Sequence, residues 1–187
     1  ILLGGVAGVS PAKVVIVGGG IAGSNAAVIA MGMQGDVVVL DTDSRKMRSI
    51  DSLYLGRVVT LHSNKLTIEE QVLDADLVIG TVLVPGAAAP KLVTEDMVKS
   101  MKRGAVLVDV AIDQGGCFAT SRETTHSNPV YELHDVLHYA VGNIPGAVPH
   151  TSTYALTNAT LRYLVRMAHD GVDRALIAHP ELQSGIN

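Results

Sequence analysis

The chain has 187 residues, 48% of them hydrophobic and 17% charged, with a mean hydropathy of +0.33. That balance excludes disorder over most of the length and supplies a core for one domain, or one domain plus part of another. With 14 basic and 18 acidic residues the formal charge is −4, which offers no footprint for nucleic acid or an anionic membrane surface. No apolar run approaches the ~18 residues of a membrane span, and no signal peptide is visible. The single cysteine, Cys117, cannot close an internal disulfide, which fits a reducing compartment. The chain begins at Ile1 rather than Met, and the expectation is an internal cut with a segment missing before it.

Taken in chain order, Gly4 to Ala7 reads as an incoming crossover, and Lys13 to Val17 (KVVIV) as the first strand. A glycine-rich turn then opens a helix over Ile21 to Met33, with Ile21, Ala22, Asn25, Ala26, Ile29 and Met33 expected near the face that meets a sheet. Asp36 to Leu40 (DVVVL) is the second strand, and Asp43 or Ser44 caps a helix through Leu53. Arg57 to Leu61 is the third strand, followed by Thr67-Ile68-Glu69-Glu70, which matches a capping box before a short helix to Leu73. Leu77 to Gly80 is the fourth strand, Thr94 with Glu95 and Asp96 starts a helix to Met101, and Ala105 to Val110 is the fifth strand. Val136 to Val141 is a weaker sixth. After Gly146 the character changes: Pro149 and Thr151 to Thr153 precede a helix over Tyr154 to His169, stopped by Gly171. Leu156, Ala159, Tyr163, Leu164 and Met167 form an apolar stripe on it that needs a partner surface.

None of the first five strands shows polar alternation, so both faces are expected to be covered. The β-α-β-α order predicts an α/β fold, a Rossmann-type, right-handed, doubly wound parallel sheet with flanking helices. The expected organisation is a crossover at 1–10, a nucleotide-binding domain at 11–147 and a C-terminal helical segment at 148–187.

In Gly18-Gly19-Gly20-Ile21-Ala22-Gly23, Gly18 makes the tight turn, Gly20 admits a diphosphate close to the backbone, and Gly23 lets helix and strand pack. Asp41 ends the second strand 18 residues past Gly23, where a carboxylate can bind the hydroxyls of an adenosine ribose. Its charge would repel a 2′-phosphate, favouring NAD over NADP, unless Arg45 or Lys46 offsets it.

Ligands of such sheets lie beyond the carboxyl ends of the strands. Ser63 with Asn64 follows the third strand and could meet an adenine or simply cap a turn. Thr81-Val82-Leu83-Val84-Pro85-Gly86 follows the fourth, an apolar loop able to pack on a nicotinamide ribose or to cover the core. Asp113 lies three residues past the fifth strand and before a glycine pair. It could orient a ribose, accept a proton or support a cationic intermediate, or only cap the Gly115-Gly116 turn through an Asx hydrogen bond. Asp109 reads as structural, and Cys117 as a buried thiol rather than a nucleophile. Arg122 could touch a cofactor or only solvent. The seven histidines show no zinc-type spacing, so no metal is expected.

Gly4-Gly5-Val6, Val17 to Gly20, Ala75 to Gly80, Val84-Pro85-Gly86, Ala89-Pro90-Lys91-Leu92-Val93, Asp109 to Cys117 (DVAIDQGGC) and Thr151 to Thr160 (TSTYALTNAT) together resemble the bacterial alanine dehydrogenase family, almost end to end. The related nicotinamide nucleotide transhydrogenase domain is the second resemblance, and implies a non-catalytic NAD(H)-binding module. The first implies reversible oxidative deamination of L-alanine to pyruvate and ammonium with reduction of NAD, in a cytoplasmic homohexamer. By position it implies cofactor contacts at Ile21, Asp41, Lys46, Ser63, Val82, Leu83, Val110, Ala111, Ile112, Asp113, Arg122, Val141, Gly142, Asn143 and Ile144, with Asp113 catalytic. It also implies that a substrate-holding Arg and Lys and an acid/base His lie in an N-terminal segment outside this chain. On that reading the chain alone binds NADH without oxidising alanine.

Overall fold

Lys13–Val17 (β1), Asp36–Asp41 (β2), Val58–His62 (β3), Leu77–Gly80 (β4), Val106–Asp109 (β5), Val130–Leu133 (β6) and Val136–Tyr139 (β7) form one sheet in the order β3-β2-β1-β4-β5-β7-β6. This is a computed structural model that describes residues 1–84 and 86–186. Every neighbouring pair is parallel except β6 with β7. β1 lies between β2 and β4, with Val15 opposite Val38 on one side and Val78 on the other. Val14 to Val17 are all 0% exposed, as expected of a strand covered on both faces.

Alternate residues feed two separate cores. Val15, Val17, Val38, Leu40, Val78 and Leu107 pack with residues of Lys65–Leu73 (α3) and Glu95–Lys99 (α4). Val14, Ile16, Val37, Val39 and Val58 pack with residues of Ile21–Gly32 (α1) and Ser44–Tyr54 (α2). Helices therefore cover both faces, and the carboxyl ends of the parallel strands share one edge.

Three local expectations are corrected. The buried face of α1 is Gly23, Ala27 and Ala30, whereas Ile21, Ile29 and Met33 are 87%, 65% and 53% exposed. Only the smallest side chains fit where this helix lies hard on the sheet, so the bulky apolar residues turn outward. The cap of α3 is Asn64, not Thr67: the Asn64 side chain accepts from the Thr67 N–H at 3.0 Å, which puts Thr67 inside the first turn. Finally, β6 carries no strand signal in the sequence pattern. It pairs with β7 through a two-residue turn in which His134 and Asp135 have φ of 57° and 59°, a turn the sequence marks with no glycine.

By internal contacts the chain divides into two compact units, Ile1–Asn143 and Ile144–Asn187. The division falls before a 3-10 turn, Ile144–Ala147. Residues 1–10 fall in the first unit: Leu3 packs on the α1 side of the core, and its carbonyl accepts from the Ala12 N–H at 2.9 Å. In the second unit, Pro149–Asp170 (α5) starts at the proline, whose fixed φ suits a first helical position. Tyr163 and Met167 of the predicted stripe are half-buried, while Leu156, Ala159 and Leu164 are exposed. Tyr163 meets His179 edge-on at 5.4 Å and donates to Glu181 Oε1 at 3.1 Å, which joins α5 to the segment after Val172–Ala178 (α6). No described helix is long and apolar enough to cross a membrane.

Candidate functional site

The carboxyl ends of β1, β2, β4 and β5 open onto a cleft of about 990 Å³ within the first unit. Ten predicted contact residues line it: Gly18, Gly20 and Ile21 from the turn, Asp41 and Lys46 beside β2, Ser63 after β3, Val82 and Leu83 after β4, and Val110 and Ala111 after β5. Pro85, predicted in the loop after β4, lies outside the described residues.

The turn is built for close approach. A Cβ on Gly23 would stand 1.8 Å from the Gly18 carbonyl oxygen, so only hydrogen fits where α1 meets β1. Gly18 itself has φ +108°, and its carbonyl accepts from Thr81 Oγ1 at 2.8 Å, tying β4 to the turn. A Cβ on Gly20 would meet nothing within 4 Å, leaving the backbone there open to a ligand in the cleft. No acidic residue occupies the first turn of α1, so its free N–H groups present an unopposed positive end.

Asp41 is 8% exposed. Its Oδ2 accepts from the Gly19 N–H at 2.7 Å and its Oδ1 from the Asp43 N–H at 2.8 Å, while Lys46 Nζ stands 3.6 Å from Oδ2. The carboxylate thus holds the glycine turn as well as facing the cleft, and its remaining lone pairs are free to accept from hydroxyls. Two cleft cations were not assigned from sequence: Lys65 at the start of α3, and Lys91, whose Nζ donates to the Gly115 carbonyl. The available signal was Lys91 within the Ala89 to Val93 segment. Apolar walls, three lysines, an open helix N-terminus and a carboxylate at the β2 end together fit a dinucleotide.

The remaining predicted residues stand apart from the cleft lining. Ile112 and Asp113 lie in a 3-10 turn, Ile112–Gln114, directly after Ala111. The Asp113 carboxylate accepts from the Asn143 N–H at 3.1 and 3.4 Å. It does not cap the glycine pair: the Gly115 and Gly116 N–H groups are taken by the Ile112 and Ala111 carbonyls at 2.9 and 3.0 Å. Asn143, with φ 54°, also has its carbonyl 3.1 Å from His126 Nε2, so its peptide is held on both sides. Val141 pairs with Thr124, and the Gly142 N–H donates to the Thr124 carbonyl at 3.1 Å. The Arg122 guanidinium lies 4.0 Å from the Tyr131 ring centre. Ile144 begins the second unit.

Behind the cleft, Cys117 is fully buried, and desolvation, helped by the negative charge of Asp109, pushes its thiol up to about 11. That suits a structural thiol and not a nucleophile. His138 is 1% exposed, with Nε2 2.8 Å from Thr120 Oγ1 and Nδ1 3.0 Å from the Val136 carbonyl, and burial lowers its pKa. Among the described residues, no three His, Cys, Asp or Glu side chains could hold a metal ion.

The family model described as alanine dehydrogenase/PNT, C-terminal domain, matches residues 1–187. The chain belongs to this family. The alanine dehydrogenase of Methanococcus maripaludis is 57% identical over 188 residues, covering 100% of this chain and 50% of the relative. That of Staphylococcus saprophyticus is 56% identical, covering 100% and 51%. The chain therefore spans about half the length of the curated relatives it matches. A solved L-alanine dehydrogenase superposes with a TM-score of 0.92 at 48% identity, covering 100% of this chain and 52% of that one. A transhydrogenase from Sinorhizobium meliloti is a weaker neighbour, with a TM-score of 0.66 at 30% identity over 74% of this chain and 39% of that one. The Rossmann-type architecture and the family resemblance expected of this alanine dehydrogenase/PNT C-terminal domain are thus both borne out.

Proposed function

We propose that this domain is the NAD-binding half of an L-alanine dehydrogenase, an oxidoreductase that converts L-alanine, NAD and water reversibly to pyruvate, ammonium, NADH and a proton. The observation that carries the reading is the cleft, which brings a glycine turn at a helix N-terminus and the Asp41 carboxylate onto one surface beside the loop leading to Asp113. The names and identities of the full-length relatives support it. The transhydrogenase reading has weaker support, in a lower superposition over less of the chain.

Bound NAD supplies the hydride acceptor. The N–H groups at the start of α1 take the diphosphate, Asp41 takes the ribose hydroxyls, and Val82 and Leu83 wall the site against water. Asp113, oriented by the Asn143 N–H, accepts a proton or balances the positive charge that develops on the substrate nitrogen. The family resemblance puts the substrate-holding Arg and Lys and the acid/base His in the other half of the relatives' length, so this chain alone is expected not to oxidise alanine. Residues 148–187 are proposed to return to that substrate-binding half, and residues 1–10 to enter from it. Homohexameric assembly in the cytoplasm belongs to the same proposal and rests on the resemblance.

Calorimetry tests the cofactor. NADH is expected to bind at least about tenfold (~1.4 kcal/mol) more tightly than NADPH, because Asp41 repels a 2′-phosphate. Binding of neither nucleotide, or preference for NADPH, overturns the reading. In the enzyme with both halves, Asp113→Asn is expected to lower kcat on the order of 100-fold while NADH affinity stays within about twofold.

A further inference from the structure

We propose that Asp109 is a positioning residue for the Asp113 loop, its buried carboxylate setting where Val110 and Ala111 line the nicotinamide end of the cleft and where the turn carrying Asp113 leaves them. The proposal rests on the reading of the cleft as an NAD site. β5 ends at Asp109, and the chain then leaves the sheet, makes the Ile112–Gln114 turn and comes back to the same side chain. Asp109 Oδ1 accepts from the Ala111 N–H at 3.2 Å, and Oδ2 accepts from the Cys117 N–H at 2.9 Å and the Phe118 N–H at 3.3 Å. Ser121 Oγ donates to the same Oδ2 at 2.5 Å. One carboxylate therefore closes the neck of the loop and anchors the residue next to Arg122.

The loop also passes hard against this side chain. Gly116 has φ +77°, and a Cβ there would stand 2.6 Å from Asp109 Oδ2. With Gly115 at φ +92° beside it, the loop holds two adjacent glycines, the residues that lose most freedom when ordered. Four donors on a side chain that is 1% exposed offset that entropy and satisfy a charge too costly to bury alone. An Asn in this place would turn an NH₂ group toward N–H donors, so the charge, not the shape, holds the loop.

What Asp109 holds is one end of the cleft only. Val110 and Ala111 line the cleft beside β5, whereas Asp41 ends β2; β1 and β4 separate the two strands, so the two ends are three strand spacings, roughly 14 Å, apart. Disturbing Asp109 should therefore affect the nicotinamide end of a dinucleotide and spare its adenosine end.

The test compares NADH with ADP-ribose, which lacks the nicotinamide, by calorimetry on the 187-residue chain. The unaltered chain is expected to prefer NADH by about tenfold, ~1.4 kcal/mol. Asp109→Asn is expected to bind ADP-ribose within about twofold of the unaltered chain while the preference for NADH falls to within about twofold of unity. Ser121→Ala, which removes one donor, is expected to lower the preference by about threefold, and decides the matter if Asp109→Asn does not fold. A preserved preference in the variants, a parallel loss of both ligands in Ser121→Ala, or no preference in the unaltered chain overturns the proposal. Failure of the unaltered chain to bind either ligand is a different result, and defeats the reading of the cleft itself.

Discussion

His138 shows how position decides what a titratable side chain does. The histidines offered no spacing for a metal, and this one differs from the other six only in falling within the weak Val136 to Val141 strand pattern, which says nothing of its partners. In the fold its ring stacks on Tyr131 at 4.8 Å between centres, with both nitrogens occupied by Thr120 and the Val136 carbonyl. Burial disfavours the imidazolium and lowers the pKa below its ordinary 6.5. Above that value both states are neutral and His138 adds no slope. Below it the unfolded chain binds a proton that the folded chain refuses, so stability falls as pH drops from 6.5 through the lowered folded-state value. The expected outcome is a urea midpoint that falls between about pH 7.5 and about pH 5.5, and falls less in His138→Gln. Equal falls in the two proteins would remove His138 as the cause. Asp41 is the opposite case at this scale: its place after a glycine turn and a second strand made its position at the cleft legible, because the motif itself fixes the spacing.

At the scale of elements, hydrophobic runs located six of the seven strands to within two residues, but the details depended on neighbours. Thr67-Ile68-Glu69-Glu70 has the letters of a capping box, yet Asn64 reaches the Thr67 N–H first and the helix begins at Lys65. Asn64→Ala is therefore expected to cost about 1 kcal/mol in urea unfolding, and Thr67→Ala less than about 0.5 kcal/mol. The reverse order would restore Thr67 as the cap. The buried face of α1 departs from the apolar periodicity for a related reason. Apolar periodicity says which side chains avoid water, but the contact distance between helix and sheet chose Gly23, Ala27 and Ala30. β6 leaves little mark in the sequence because it is a short, partly exposed edge strand whose partner is supplied by its own hairpin.

For the whole molecule, every described residue lining the cleft lies within Ile1–Asn143. A chain ending at Asn143 is accordingly expected to bind NADH within about threefold of the 187-residue chain. A loss of more than about tenfold would mean that the cleft is incomplete in the first unit.

The sequence by itself determined the sheet class, the glycine turn, the place of Asp41 at the end of β2 and the family, because each is encoded in contiguous residues whose order and spacing carry the signal. Only the tertiary structure decided that Asp113 is held by Asn143 and leaves the glycine pair to backbone carbonyls, and that Asp109 gathers donors from three places. Those partners are up to 30 residues apart in the chain. A carboxylate's role depends on which donors the fold brings within hydrogen-bonding distance, and no local pattern records that choice.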